Sequence, residues 1–170
     1  MRKIILFLMM VLMTVASYGR KHVSPDAVIA SDTIYYSADK MSVSERGKAD
    51  YYRLLMTQGA GAQKQEVFQD FYLNGTLKAE GGYNFVDLGN DNNTVFNGEV
   101  TTYYPDGMQK THGKYVNGKR QGHFTVQMSD GSIAVMEFAD GKSKYDYFVV
   151  TSKDGRMEKR PVSEIKSLLQ

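Results

Sequence analysis

The chain has 170 residues, no cysteine and no tryptophan, and 21 basic against 19 acidic side chains give it a formal charge of +2. Disulfides, thiol chemistry, thiolate-bound zinc and the acylated cysteine of a bacterial lipoprotein are thereby excluded, so stability must come from packing. The near-neutral balance argues against bare nucleic acid as a partner, and twelve tyrosines and eight phenylalanines with only three prolines suit pleated, half-buried surfaces.

At the N-terminus, Arg2 and Lys3 precede the apolar stretch Ile4 to Leu12, which runs through Met13, Thr14, Val15 and Ala16 into small residues. This is the pattern of a secretory signal peptide, with cleavage expected after Ser17 or Gly19. The apolar core falls well short of the roughly 20 residues a membrane-crossing helix needs, and Arg20-Lys21-His22 offers no stop-transfer run. No transmembrane segment is therefore expected after cleavage, and the product is expected in the periplasm or outside the cell. Losing the leader removes two basic residues and no acidic ones, leaving 19 of each sign.

The expected organisation is a leader over 1–19, a polar tether over 20–31, an N-terminal capping hairpin over 32–66, hairpin repeats over 67–160 and a short C-terminal helix over 161–170. A first strand is expected around Thr33-Ile34-Tyr35-Tyr36 and a second from Ala49 through Leu55, joined through a turn at Ser37-Ala38-Asp39-Lys40. Gly59-Ala60-Gly61-Ala62 lacks the lysine of a phosphate-binding loop and reads as a plain turn.

From there a run of turn dipeptides dominates: Asn74-Gly75, Asn97-Gly98, Asp106-Gly107, Asn117-Gly118, Asp130-Gly131, Asp140-Gly141 and Asp154-Gly155, each flanked by aromatic or β-branched segments. Gly107, Gly131 and Gly155 are 24 residues apart, with Gly118 and Gly141 between them at a spacing of 23. Constant spacing means an internal repeat, and the fold class expected is all-β, an antiparallel meander of hairpins. A three-residue loop with a left-handed glycine fits Leu73-Asn74-Gly75, Pro105-Asp106-Gly107 and Ser129-Asp130-Gly131. That register places Phe124, Val126 and Met128 beside Ala134, Met136 and Phe138 on one apolar face, and sets Val67 and Phe71 opposite Gly81 and Leu77, sharing a face with Ala79 and Tyr83. Ile133, Val135, Tyr145 and Tyr147 fall on the other face, implying either a cover there or a bulge.

Gly75 and Gly107 are 32 residues apart, and the excess of eight lies near Leu88-Gly89-Asn90-Asp91-Asn92-Asn93, expected to be an inserted, mobile polar loop. Asp87, Asp91, Asn92 and Asn93 invite a calcium reading, but glycine is missing at the sixth position and glutamate at the twelfth of an EF-hand. Asn74-Gly75-Thr76 and Asn92-Asn93-Thr94 match the glycosylation triplet, which matters only in a eukaryotic secretory pathway. Beyond Pro161, Ile165, Leu168 and Leu169 share a helical face expected to cap the last strand edge.

The segments Tyr103-Tyr104-Pro105-Asp106-Gly107, Gly113-Lys114-Tyr115-Val116-Asn117-Gly118-Lys119-Arg120-Gln121-Gly122 and Phe71-Tyr72-Leu73-Asn74-Gly75-Thr76-Leu77-Lys78-Ala79-Glu80-Gly81 carry a further signal. Through them the chain resembles the MORN-repeat family in its bacterial variant form, whose exported members are filed as YwqK-type antitoxin-like proteins. The resemblance spans roughly residues 32 to 158 and implies a β-meander presenting a ribbon surface, with no catalytic residues to carry over. Asp140-Gly141-Lys142 lacks the second glycine of the motif.

For chemistry, His112 and His123 flank the Asn117-Gly118 turn, and a two-residue turn would pair them across the hairpin as weak metal candidates, whereas a longer loop would separate them. No Gly-x-Ser-x-Gly elbow is present, and the acidic residues are scattered rather than paired. No cofactor is expected. The candidate contact residues are Tyr103, Tyr104, Lys114, Tyr115, Lys119 and Arg120, for a protein partner, an envelope surface or a lipid headgroup. The function expected is a noncatalytic binding module, with an antitoxin or immunity protein and a weak hydrolase using strand-borne carboxylates as alternatives.

Overall fold

The computed structural model describes residues 33–59, 61–164 and 168–169, so the expected leader and tether lie outside the described residues. Twelve strands form one antiparallel sheet: β1 (Ile34–Tyr36), β2 (Ser42–Val43), β3 (Tyr51–Gln58), β4 (Gln65–Tyr72), β5 (Leu77–Phe85), β6 (Val95–Tyr103), β7 (Gln109–Val116), β8 (Lys119–Gln127), β9 (Ile133–Ala139), β10 (Lys142–Ser143), β11 (Tyr147–Thr151) and β12 (Met157–Pro161). Their order is β12-β11-β9-β8-β7-β6-β5-β4-β3-β1-β2, with β10 pairing β9, so the chain meanders from one edge to the other.

Two kinds of turn alternate, and both follow from the dipeptides. At Gly75, Gly107, Gly131 and Gly155 φ lies between 83° and 87°, and each glycine N–H donates to the carbonyl three residues earlier, on Tyr72, Tyr104, Met128 and Ser152 at 2.8–2.9 Å. The Asn or Asp before the glycine caps the loop: Thr76, Met108 and Ser132 N–H donate to the side chains of Asn74, Asp106 and Asp130, all at 2.9 Å. These are the expected three-residue loops. Asn117-Gly118 and Asp140-Gly141 instead have both residues at positive φ (48°/77° and 51°/81°), the mark of a two-residue type I′ turn.

Asn97-Gly98 is not a turn. It lies inside β6, where Gly81 faces Val100 but Tyr83 faces Phe96, so two extra residues bulge out with Gly98 at φ 96°. The bulge receives the next turn: Gly118 N–H donates to the Phe96 carbonyl at 2.8 Å and Asn117 N–H to the Asn97 side chain at 3.2 Å. One repeat later Gly122, also at positive φ, makes the equivalent irregularity in β8, and Gly141 N–H donates to the Arg120 carbonyl at 2.9 Å.

Registers put the large side chains on one face. Phe124, Val126, Ala134, Met136, Phe138, Phe148 and Val150 form a buried cluster against which Val162, Leu168 and Leu169 pack. The face expected from Ser129-Asp130-Gly131 is thus present. Aromatic contacts at 5.2–5.4 Å between centroids continue it as Phe68–Phe96–Tyr115–Phe124–Phe138. Room for the rings comes from strand glycines: a Cβ on Gly113 would stand 2.5 Å from the Phe124 ring, and one on Gly81 2.7 Å from Val100 Cγ2.

Three further expectations are corrected. Phe71 does face Leu77, but Asp70 faces Ala79, so Lys78 bulges and Val67 faces Gly82 rather than Gly81. That one-residue slip moves Val67 and Phe71 to the face opposite Ala79 and brings Phe68 and Asp70 onto the covered one. At the C-terminus Pro161 ends β12 rather than starting a helix and Val162–Glu164 form a 3-10 turn; Leu168 is helical, and residues 165–167 of the expected helix lie outside the described residues. Val162, Leu168 and Leu169 cover the sheet face rather than its edge.

The third correction concerns the inserted segment. Residues 86–94 leave β5, cross the covered face and reach the far edge, where Ser42 N–H donates to the Gly89 carbonyl and Asp91 N–H to that of Lys40, both at 2.9 Å. Met41 and Asn90 form a β-bridge there. The insertion is therefore a tied strap, not a free loop.

Candidate functional site

One face of the sheet is sealed at both ends, by the strap and by the C-terminal residues, and the other carries the candidate site. Under the strap lies Arg53, 1% exposed, whose guanidinium donates to both oxygens of Asp70 at 2.6 and 2.7 Å, and also to Asp91 and to Thr94. Its plane lies 4.6 Å from the Phe68 centroid, and Tyr51 donates to Asp91 at 2.5 Å. Burial pushes the Asp91 carboxyl up, but the Arg53 charge and the bonds from Tyr51 and Thr94 outweigh it and hold it below the usual range. Asp70 goes the other way: its burial outweighs the same guanidinium and raises it. Burial also lifts the Tyr36 phenol to about 12. Arg53, Asp70 and Asp91 are paired with one another, and the cluster fastens the strap.

Apart from Val67, which is buried, the strand side chains of the opposite face are half-exposed or exposed. Register lines up one row across it: Leu54, Gln69, Glu80, Thr101, His112, Thr125, Val135, Val149 and Lys159. Next to this row, over β3 to β7, runs a groove of about 800 Å³, its walls including Met56, Val67, Gln69, Glu80, Glu99 and Lys114. Its floor is low because Gly82 and Gly98 bring no side chains; a Cβ on Gly82 would stand 2.1 Å from the Asn97 carbonyl oxygen. Glu80 accepts from Tyr103 Oη at 2.7 Å and Gln69 Nε2 at 3.3 Å. Burial, then this carboxylate, raises the Tyr103 phenol to about 12. Thr101 Oγ1 lies 3.0 Å from His112 Nδ1, and His112 Nε2 lies 3.5 Å from Glu99.

The sequence-derived contact residues do not form one patch. Tyr103, Lys114 and Lys119 belong to the open face, Lys114 facing Glu99 and Gln121, and Lys119 paired with Asp140 at 2.7 Å. Tyr115 packs edge-on against Phe124 on the covered face. Arg120 lies on that face too, over the Phe124 and Phe138 rings at 5.8 and 5.5 Å, with its Nε buried and making no hydrogen bond. Tyr104 ties two hairpins by donating to the Gln127 carbonyl at 2.8 Å. The strand pleat separates Lys114 from Tyr115, so a basic patch beside an aromatic in sequence is split between two faces.

The turn at Asn117-Gly118 has the two residues that would pair the histidines, but the irregularity at Gly122 sets His112 opposite Thr125 and His123 opposite Glu137. Among the described residues no three His, Asp or Glu side chains stand close enough to hold a metal ion. No helix among them is long and apolar enough to cross a membrane.

The groove residues were not identified from sequence. Gly98 and Gly122, 24 apart, were the available signal: bulge glycines within strands on the repeat period. No protein-family model matches the chain, and no curated protein matches it.

Proposed function

We propose that this chain is an exported, noncatalytic binding module of MORN-like hairpin repeats that contacts a protein partner or an envelope surface through its open face. The observation that carries the reading is the asymmetry of the sheet: two chain segments close one face, while the other presents polar and aromatic side chains in register from β1 to β12. Ile133 and Tyr145, each 44% exposed, extend the same face as apolar contacts near its C-terminal end, with Tyr145 stacked on Tyr147 at 5.5 Å. Glu80 and Glu99, the carboxylates of the groove, are engaged by Tyr103, Gln69 and His112, which suits a recognition surface better than a hydrolase pair.

A photoreactive residue placed singly at Thr101, Thr125, Asn74 or Lys153 in the full chain, expressed in its native host and irradiated, tests this. Adducts are expected from Thr101 and Thr125 and not from the two turn positions. Equal yields at all four, or none at any, would overturn the reading.

A further inference from the structure

We infer that the groove over β3 to β7 binds a neutral oligosaccharide, an inference that rests on the open face being the contact surface. Its volume, about 800 Å³, is within the range of small-ligand sites. Its walls are dominated by groups suited to sugar hydroxyls, which both donate and accept. The amide of Gln58 offers a donor and an acceptor side by side; Gln69 and Asn84, whose nitrogens donate to Glu80 and Asn117, keep their amide oxygens as acceptors, Asn97, whose oxygen accepts from Asn117 N–H, keeps its amide nitrogen as a donor, and Thr101 adds a hydroxyl beside His112.

Charge points to a neutral ligand. Glu66, paired with Lys64 at 3.4 Å, alternates with Val67 and so lies on the covered side, while Glu99 faces Lys114 in the ladder and Glu80 is occupied by Tyr103 and Gln69. An anion would meet the two carboxylates of Glu80 and Glu99, and a cation would compete with Lys114. An extended peptide fits less well. The ladder bonds of β3 to β7 are used within the sheet, so no strand can be added there, and of the apolar and aromatic wall residues Phe68 and Tyr83 face the covered side, leaving Met56 and the buried Val67 to meet apolar side chains.

The same face supplies an apolar shelf. Tyr35, Tyr52 and Phe71, all half-exposed, run across β1, β3 and β4, Tyr52 stacked on Phe71 at 5.2 Å between centroids and Tyr35 tilted against Tyr52 at 6.1 Å. Along β3, Met56 in the groove and Tyr52 on the shelf are four residues apart, about 14 Å at about 3.4 Å per residue. That span is too long for one sugar ring and suits an oligomer whose polar edges lie in the groove and whose C–H faces rest on the aromatic shelf.

Isothermal titration of the intact protein with chitohexaose and with cellohexaose tests the inference, alongside amide chemical-shift mapping. Saturable binding of at least one is expected, with shifts concentrated at Gly82, Gly98 and Thr101, and a loss of about tenfold or more in the double variant Q69A/T101V at an unchanged melting temperature. No binding of either sugar up to about 10 mM, or shifts on the covered face instead, would overturn it. The mapping uses the unmodified chain and so stands even if the variant does not fold. Protein adducts from Thr101 and Thr125 with no sugar binding would sink this inference alone; no adducts and no sugar binding would sink both.

Discussion

The two ends of the covered face are closed by opposite chemistry. At the C-terminal end Phe124, Met136, Phe138 and Phe148 are buried against Val162, Leu168 and Leu169, a contact that any apolar side chains of similar volume could make. At the N-terminal end the strap is held by Arg53 between two carboxylates, a contact only one register satisfies. The apolar closure supplies free energy through burial. The ionic one supplies little net energy but a large penalty for misplacement, since each charge stranded there lacks water. An eight-residue insertion would otherwise be free to wander; the ion pairs fix it.

Removing Arg53 separates the two most sharply. Arg53→Ala leaves Asp70 and Asp91 buried without their cation, and we expect a loss of about 3 to 5 kcal/mol in urea unfolding, with increased amide exchange at residues 86–94. Met136→Ala should cost about 2 to 5 kcal/mol through cavity formation while leaving strap exchange unchanged. If both variants loosen the strap equally, the two ends are not separate closures.

Acid sharpens the contrast further. Asp91 is held below its unfolded value, so its contribution is fully present above an unfolded carboxylate pKa of about 3.9 and is lost as pH falls through the folded value. Asp91→Asn should therefore be less stable than the parent at neutral pH, with the gap closing below about pH 4. Asp70, raised by burial, has the opposite sign and gains relative stability as it protonates, which blunts the acid sensitivity of the site as a whole. A gap that stays constant down to pH 2 would show that Asp91 is not paired as described.

The smallest expected effect concerns a repeat element common to both halves. A Cβ on Gly122 would meet nothing within 4 Å, so Gly122→Ala isolates the left-handed backbone penalty, about 1 to 2 kcal/mol by thermal unfolding. No change would mean that the bulge relaxes without cost.

The hairpin repeat was legible because Asn-Gly and Asp-Gly fix turn geometry locally, and the 24-residue period reports it without any knowledge of contacts. The C-terminal core followed by counting alternate residues from Gly131. Counting failed from Gly75, because the bulge at Lys78 leaves no distinctive residue, and the slip reversed the faces of Val67 and Phe71. Gly98 is ambiguous for a related reason: Asn-Gly means positive φ, and both a turn and a strand bulge need it. The strap and the groove depend on pairings across 17 to 38 residues, such as Arg53 with Asp70 and Asp91, and no local pattern announces which arginine meets which carboxylate.

Hydroxyl-radical footprinting of the intact chain tests the asymmetry itself. Met157, 73% exposed, and Ile133 and Tyr145, each 44% exposed, should oxidise readily, while Met136 at 2% and Phe68 at 1% stay protected. Protection of Ile133, Tyr145 and Tyr147 together, or oxidation of Met136 at the rate of Met157, would contradict a sheet with one sealed face and one open to a partner.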